Sequence, residues 1–255
     1  MNQTDQGRHA VAAVIPARYA SSRFPGKPLA KIAGKPMIEW VYRRAEAARA
    51  VTNVIVATDD ERILETVSAF GGRAVMTSAD HPSGTDRVAE AVRDTDAQLV
   101  LNVQGDEPLM SSHVIDGLVQ AMQDSPESEM GTVAVPFPER GEAFRNPNNV
   151  KVVLDNSSHA LYFSRSPLPY CRADGADVGP LWHWGLYAYR RDFLEAFIKW
   201  PPGRLEQCEK LEQLRALENG ARIRVVLAHE LHSDVNVPAD IPAVENLLRQ
   251  RGEIE

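Results

Sequence analysis

The sequence predicts an α/β fold in which a mostly parallel, twisted sheet is flanked by helices. In the first half of the 255-residue chain, short apolar runs alternate with longer segments of helical periodicity, as in βαβ units. In the second half, apolar runs are separated by turns rich in Pro, Gly and Asn, which indicates a mixed extension of the sheet. Hydrophobic residues at 44% and charged residues at 25% are typical of a globular protein.

Six segments define the βαβ pattern of the first half. The runs predicted to be strands are 11–15, 54–57 and 99–103. The segments predicted to be helices are 36–48, 61–70 and 114–122. Crossovers between parallel strands are right-handed, and ligands of such sheets bind beyond the carboxyl ends of the strands. The loops that follow these strands are therefore the expected ligand-binding loops.

The second half contains shorter strands and two predicted helices. Its predicted strands are 133–136, 150–154, 161–163, 183–189 and 222–227. Helix-forming residues fill 205–218, and Gly220 just beyond them is a suitable stop. A last helix is predicted over 241–250.

Composition excludes several classes of protein. The formal charge of −7 disfavours nonspecific binding to nucleic acid or to an anionic membrane. No apolar run approaches the roughly 20 residues that cross a bilayer. Cys171 and Cys208 form no CxxC pair, so two reduced thiols and a cytoplasmic location are expected.

One loop is basic although the protein is acidic. Between residues 18 and 35 there are five Lys and Arg residues and no Asp or Glu. Arg18 and Lys27 stand among small residues directly after the first predicted strand, where Arg and Lys donors suit a polyphosphate. The loop is not a Walker A motif, which would need Gly at Ser21 and Ser or Thr at Pro28. Taken alone, these cations would equally suit a solvated loop.

A carboxylate follows another predicted strand. Asp106 lies in QGDEP, after the apolar run that ends at Val103, and there it could hold Mg²⁺ against phosphate oxygens. The alternative is a turn Asp. In SGTDR, Ser83 or Thr85 could contact a planar base or cap a helix, and both roles are compatible.

Four segments of the first half resemble one enzyme family. They read ARYASSRFPGKPL, VATDDERI, MTSADHPSGTDRVAE and QGDEP, and they occur in the family's order. The first resembles the signature of nucleotide-sugar pyrophosphorylases and is close to that of the 3-deoxy-manno-octulosonate (Kdo) cytidylyltransferases. The resemblance extends over about 14–240. It implies a glycosyltransferase-A-like, Rossmann-like nucleotidyltransferase fold.

The resemblance also implies a reaction and its setting. CMP would pass from CTP to Kdo, giving CMP-Kdo and pyrophosphate for lipopolysaccharide core synthesis in a Gram-negative bacterium. Mg²⁺ would be the cofactor, and the protein would be a cytoplasmic homodimer. We expect a single domain over 1–255, with a nucleotide-binding half at about 10–135 and a sugar-binding and dimerisation half at about 136–250.

The resemblance assigns residues to the nucleotide and the metal. The catalytic residues would be Arg18, Lys27 and Asp106, of which the first two hold the triphosphate. Asp106 would be a metal ligand. The nucleotide-binding residues would be Ala17, Arg18, Ser21, Ser22, Lys27, Ser83, Gly84, Arg87 and Gln104.

Three later segments resemble the family's site for the sugar acid. They read ALYFSRSPLPY, HWGLYAYR and LEQCEKLEQLR. An Arg fork suits a carboxylate, and His, Tyr, Glu and Gln suit hydroxyl groups. Taken alone, the histidine would be read as structural and the Glu–Gln pair as a solvated helix face. The implied sugar-binding residues are Arg165, His183, Tyr187, Glu212 and Gln213.

The C-terminal metal motif of the family is altered here. Where the family has VDTPEDL, with an Asp as second metal carboxylate, this chain has VNVPADI. Asn236 stands at the position of that Asp, and Asp234 precedes it by two residues. Asn236 is thus the implied second metal ligand, without a charge, and whether Asn236 or Asp234 completes the metal site is open at this point.

Two other functions remain open. The first is the same transfer to a related acid such as 8-amino-3,8-dideoxy-manno-octulosonate. The second is a noncatalytic nucleotide-sugar-binding protein that lost turnover together with the metal Asp.

Overall fold

The computed structural model describes residues 10–20, 24–172, 178–229 and 234–254. The chain divides into two compact units, one formed by residues 1–112 together with 233–255 and the other by residues 113–232. The predicted single domain with halves meeting near residue 135 stays a prediction. The C-terminal segment belongs to the unit that contains the basic loop.

The elements alternate along the chain in the predicted manner. The strands are β1 (Val11–Ala17), β2 (Lys31–Ile32), β3 (Lys35–Pro36), β4 (Asn53–Thr58), β5 (Ala74–Met76), β6 (Leu99–Asn102), β7 (Met130–Pro136), β8 (Lys151–Leu154), β9 (Ala160–Ser164), β10 (Leu181–Arg190) and β11 (Ile223–Leu227). The helices are α1 (Met37–Glu46), α2 (Glu61–Ala69), α3 (Gly84–Ala91), α4 (Ser112–Asp124), α5 (Glu142–Arg145), α6 (Arg191–Phe197), α7 (Arg204–Glu209), α8 (Gln213–Glu218) and α9 (Ile241–Gln250).

In the first unit, β6, β1, β4 and β5 lie side by side in this order and run parallel. The predicted α/β class is confirmed. Val14 and Ile15 of β1, Ile55 of β4 and Leu101 of β6 are fully buried, because helices cover both faces of a parallel sheet. β1 and β6 both end at the loops that carry the predicted ligand residues.

The C-terminal segment packs beside the basic loop. Val235 and two residues of α9 join a buried apolar cluster with residues of β2, α1 and the loop after β6. Trp40 donates its indole N–H to the carbonyl of Ile32, 2.9 Å away, within this cluster. Segment 234–254 is thereby fixed close to Lys27 and Asp106.

In the second unit, β7 pairs with β11 in parallel and with β10 in antiparallel orientation, and β8 pairs with β10 and β9. The predicted mixed extension is confirmed. A bulge lies in β10 between Trp184 and Tyr187, where the register with β7 shifts.

One predicted helix is wrong. Segment 205–218 is divided into α7 and α8, because Lys210 adopts a left-handed conformation with φ of 53°. The guanidinium of Arg165 donates to the carbonyls of Glu209 and Lys210 at this break. Tertiary hydrogen bonds thus override the helix propensity of the segment.

Several short elements were not predicted, among them β5, α5, α6 and the β2–β3 hairpin. The hairpin turns at Ala33 and Gly34, both with positive φ, as a two-residue hairpin loop requires. None of the described helices is long and apolar enough to cross a membrane.

Candidate active site

A pocket of about 330 Å³ opens in the first unit, where β1 and β6 end and α3 begins. This is the edge at which the parallel-sheet rule predicts a ligand. The residues predicted for the nucleotide and metal that line it are Ala17, Arg18, Lys27, Ser83, Gly84, Gln104 and Asp106. Ser21 and Ser22 lie outside the described residues, and nucleotide binding by these residues stays a prediction.

Small residues allow the three loops of the pocket to approach each other. A Cβ on Gly105 would lie 3.3 Å from the carbonyl oxygen of Pro16. A Cβ on Gly84 would lie 3.7 Å from Cγ of the same proline. Gly26 has a φ of +71° and donates its N–H to the carbonyl of Tyr19, which closes the base of the basic loop.

Arg18 links the basic loop to the loop before α3. Its Nη2 donates to the carbonyl oxygen of His81 at 2.6 Å. The carboxylate of Glu90 in turn accepts from the backbone N–H of Ser78 and contacts Nε2 of His81. The Ser78 N–H and then His81 lower the pKa of Glu90, which therefore stays ionised as the anchor of this loop.

The two predicted base contacts on α3 have structural partners. Ser83 is the helix cap, since its Oγ accepts from the N–H groups of Thr85 and Asp86. Arg87 is fully buried and donates to Thr77 and Asp59 at 2.6 and 2.9 Å. Arg87 does not line the pocket. Its hydrogen bonds instead hold Thr77, which follows β5, and Asp59, which follows β4.

Lys27 joins Asp106 to the C-terminal segment. Its Nζ lies 2.6 Å from Oδ2 of Asp106 and 3.0 Å from the carbonyl oxygen of Val235. The N–H of Val235 donates to the carbonyl of Asp106, 3.0 Å away. The ammonium group of Lys27 thus already pairs with the carboxylate that is predicted to bind the metal.

The donor types in Asp106 and in the segment around Val235, both bonded to Lys27, suit a magnesium ion. Asp106, Asp234 and Asn236 offer carboxylate and amide oxygens, which Mg²⁺ prefers, and it completes its shell with water and phosphate. Nδ2 of Asn236 donates to Oδ2 of Asp234 at 2.6 Å. Within the described parts of the chain, no three His, Cys, Asp or Glu residues form a cation cluster. A metal here would therefore depend on few protein ligands and on the nucleotide phosphates.

Residues that are predicted to bind the sugar form a cluster in the second unit, at the bulge in β10. Nε2 of His183 lies 3.0 Å from Oγ1 of Thr132, which also donates to the carbonyl of Leu186. The ring centroids of His183 and Tyr187 are 5.4 Å apart. Bulges re-aim side chains and are frequent next to active sites.

Acidic and aromatic groups are combined in this cluster. Burial raises the pKa of Tyr187, and the nearby carboxylate of Glu212 raises it further. Tyr187 is therefore a neutral hydroxyl that can donate or accept a hydrogen bond. Glu212 lies 3.5 Å from Nη2 of Arg215, and Gln213 beside it is almost fully buried.

Arg165 has structural partners for all three guanidinium nitrogens. Nε donates to the carbonyl of Glu209, Nη1 to that of Pro147 and Nη2 to that of Lys210, at 2.6, 3.0 and 3.3 Å. Its own carbonyl accepts from the buried ammonium of Lys151. The structure shows an arginine that organises the α7–α8 turn, and carboxylate binding by its remaining N–H groups stays a prediction.

Sequence reasoning missed the support of the basic loop from α2. Cζ of Arg62 lies 3.3 Å from the ring centroid of Tyr19, and Asp60 holds Arg62 through two side-chain hydrogen bonds. The only signal was the helix cap in TDDER. The hydrogen bonds that the carbonyls of His81 and Val235 accept were also missed. Every residue carries a carbonyl, so the sequence does not show which carbonyls accept a side-chain donor.

Comparisons with known proteins agree on one family. Residues 12–223 match the family model described as Cytidylyltransferase. The 3-deoxy-manno-octulosonate cytidylyltransferase of Syntrophotalea carbinolica is 51% identical over 94% of this chain and 98% of the relative. The 8-amino-3,8-dideoxy-manno-octulosonate cytidylyltransferase of a Shewanella species is 49% identical over 93% and 98%.

A solved structure extends this likeness to the fold. It is a CMP:2-keto-3-deoxy-manno-octonic acid synthetase in complex with CTP, and it is 44% identical to this chain. The TM-score is 0.90, over 95% of this chain and 99% of the other. The nucleotidyltransferase fold predicted from the sequence is confirmed.

Proposed function

The chain belongs to the 3-deoxy-manno-octulosonate cytidylyltransferase family, and on that premise we propose that it transfers CMP from CTP to Kdo and releases pyrophosphate. The observation that carries the proposal is the pocket at the ends of β1 and β6, where Arg18, Lys27 and Asp106 meet. This is an anion site with one carboxylate, as a metal-bound triphosphate requires.

The transfer needs no covalent enzyme intermediate. The anomeric hydroxyl of the sugar acid attacks the α-phosphorus of CTP in line, the bond to the β-phosphate oxygen breaks, and pyrophosphate leaves. Arg18 and Lys27 bind the triphosphate and neutralise charge that develops on its oxygens. Lys27 leaves Asp106 to do so, which exchanges one anionic partner for another.

Mg²⁺ would be held by Asp106 and the Asp234–Asn236 segment, and it would supply charge neutralisation and orientation of the phosphates. The chain's own contribution is to hold the two segments together, since the N–H of Val235 donates to the backbone carbonyl of Asp106. Ser83, Gly84 and Gln104 border the pocket where the base would bind.

The acceptor would be bound by residues of the second unit. His183, Tyr187, Glu212 and Gln213 offer directional bonds to the hydroxyl groups of the sugar. The neutral Tyr187 hydroxyl suits this role at ordinary pH. Arg165 would reach the carboxylate only with the N–H groups that its backbone bonds leave unused.

We propose Kdo rather than its 8-amino analogue as the acceptor, because the Syntrophotalea relative is slightly more identical to this chain than the Shewanella relative. The product would enter lipopolysaccharide core synthesis, and we place the enzyme in the cytoplasm as a homodimer. Light scattering coupled to size exclusion measures the oligomeric state, and a monomer at working concentrations would contradict that part.

The test is pyrophosphate release with CTP, Mg²⁺ and Kdo, with the 8-amino analogue in a parallel series. We expect release only when nucleotide and sugar acid are both present, and much slower release with ATP or GTP. Equal rates with a purine triphosphate would refute the base assignment. Faster turnover of the 8-amino analogue would favour that substrate, and tight binding without release would favour the noncatalytic alternative.

A further inference from the structure

The segment that is bonded to the Asp106 backbone carries a carboxylate at Asp234, two residues before Asn236. Asn236 is neutral, and its side-chain amide donates to Oδ2 of Asp234 at 2.6 Å. The backbone between them, at Val235, accepts from Lys27 and donates to the carbonyl of Asp106. Asp234 and Asn236 therefore flank Val235, which is bonded to both Lys27 and Asp106.

The position of this segment is also fixed by apolar packing and by hydrogen bonds within the segment. Val235 is fully buried in the apolar cluster that contains Trp40 and Leu109. The N–H groups of Asn236 and Val237 both donate to Oδ2 of Asp240, at 2.8 and 2.9 Å. The backbone on either side of Val235 has little freedom, so residues 234 and 236 stay next to the residue that is bonded to the Asp106 backbone.

The hydrogen bond leaves oxygen atoms for a cation. Asp234 uses Oδ2 for the amide, and within residues 10–20, 24–172, 178–229 and 234–254 no donor is bonded to its Oδ1. Asn236 donates through Nδ2 and so turns its carbonyl oxygen away from the carboxylate. The side chain of Asp234 is partly exposed, which allows an ionised carboxylate without a large desolvation cost.

We infer that Asp234, tethered by the Asn236 amide, is the second anionic group of the cation site, and that Asn236 positions it. This rests on the proposed function, because the cation is the Mg²⁺ that accompanies CTP. The charge that a carboxylate at position 236 would carry is supplied from position 234. The chain thus retains two carboxylates, Asp106 and Asp234, for the metal.

The effect of removing this charge has a definite sign. Without Mg²⁺, Asp234 repels the triphosphate, so Asp234→Asn leaves metal-free CTP binding unchanged or tighter. With Mg²⁺, the same change removes an attraction to the cation and weakens CTP binding by about tenfold, as expected for one partly screened charge. A purely structural residue would instead change CTP affinity equally with and without Mg²⁺.

The experiment is calorimetric titration of CTP without any sugar, over a series of Mg²⁺ concentrations. It compares wild type with Asp234→Asn, Asn236→Asp and the charge-swap variant that carries both changes. Asp96→Asn, an exposed carboxylate in the same unit, is the charge-matched control. Thermal melting verifies that every variant is folded.

We expect Asp234→Asn to lose most of the Mg²⁺-dependent gain in affinity, and the charge-swap variant to recover it. Asn236→Asp alone should steepen the Mg²⁺ dependence, and Asp96→Asn should match wild type. An unchanged Mg²⁺ dependence in Asp234→Asn overturns the inference and leaves the proposed function standing. A wild type that binds CTP independently of Mg²⁺, or does not bind it, overturns the metal or nucleotide part of the proposed function itself.

Discussion

The pocket of the first unit and the cluster at the bulge in β10 differ in how their predicted residues are used. In the first unit, Arg18, Lys27 and Asp106 stand on loops at strand ends and border an open pocket. In the second unit, His183 lies within a strand and Arg165 directly after one, and both are bonded to neighbouring structure. Side chains on loops that follow parallel strands are also hydrogen-bonded here, but they border open space that a ligand can enter. Residues packed inside elements serve the fold as well.

This difference predicts different outcomes for mutations in the two regions. Changes in the pocket should reduce catalysis at constant stability. Changes in the cluster should reduce stability and sugar binding together, because the same hydrogen bonds support both. Each variant below tests one side of that contrast.

The largest effect is expected from Asp106→Asn. The change keeps the shape of the side chain but removes the charge that neutralises Lys27 and would bind the metal. We expect kcat to fall by about a hundredfold or more, which corresponds to ~2.7 kcal/mol of transition-state stabilisation. Steady-state pyrophosphate release measures the loss.

The melting temperature of Asp106→Asn should stay within a few degrees of wild type, because the carboxylate is partly exposed and contributes little to the core. Asp96→Asn again serves as a matched control with normal turnover. Near-normal rates of Asp106→Asn at limiting Mg²⁺ would remove Asp106 from the metal site.

The positions of the strands and of the basic loop could be predicted from the sequence, because β1, β4 and β6 are continuous apolar runs buried on both faces. The break in 205–218 could not, because it depends on a guanidinium 45 residues away that bonds the carbonyl of Lys210. Every local signal in that segment favours one helix.

Residue types in the site could be predicted, but their partners could not. Arg87 belongs to a motif that predicts base recognition, yet it is fully buried and its partner Asp59 lies on another loop. The bulge in β10 also leaves no mark on the apolar pattern, although the register with β7 shifts directly before Tyr187. Hydrogen bonds to backbone carbonyls, such as those of Arg18 and Lys27, have no sequence signature.

A smaller loss is expected when the cations of the pocket are removed one at a time. Arg18→Ala and Lys27→Ala should each lower kcat/KM for CTP at least about tenfold, or ~1.4 kcal/mol. Arg18→Ala also frees the carbonyl of His81, so its KM for CTP should rise more. Kinetics with varied CTP at saturating Kdo separate the two parameters.

Lys31→Ala is the matched control for these two variants, because Lys31 is an exposed cation of the same basic stretch and does not line the pocket. Its kinetics should equal those of wild type. If all three variants behave like wild type, the cations are solvated loop charges and the contrast between the two regions disappears.

The smallest catalytic effect, but the largest structural one, is expected from Arg165→Ala. Three backbone carbonyls lose their donor, and the α7–α8 turn loses its left-handed support. Lost hydrogen bonds from a charged donor should cost roughly 1–3 kcal/mol of unfolding free energy. The melting temperature should therefore fall by several degrees, and KM for Kdo should rise severalfold, since Glu212 and Gln213 follow this turn.

Arg145→Ala, which removes an exposed arginine of the same unit, should change neither quantity. Arg165→Lys separates the two roles of Arg165, because an ammonium can replace one carbonyl bond but not the three-directional guanidinium. If Arg165 only binds the sugar carboxylate, both variants raise KM for Kdo at an unchanged melting temperature. That result would make the cluster at the β10 bulge resemble the pocket of the first unit. Packing within helices and strands would then no longer explain the difference between the two regions.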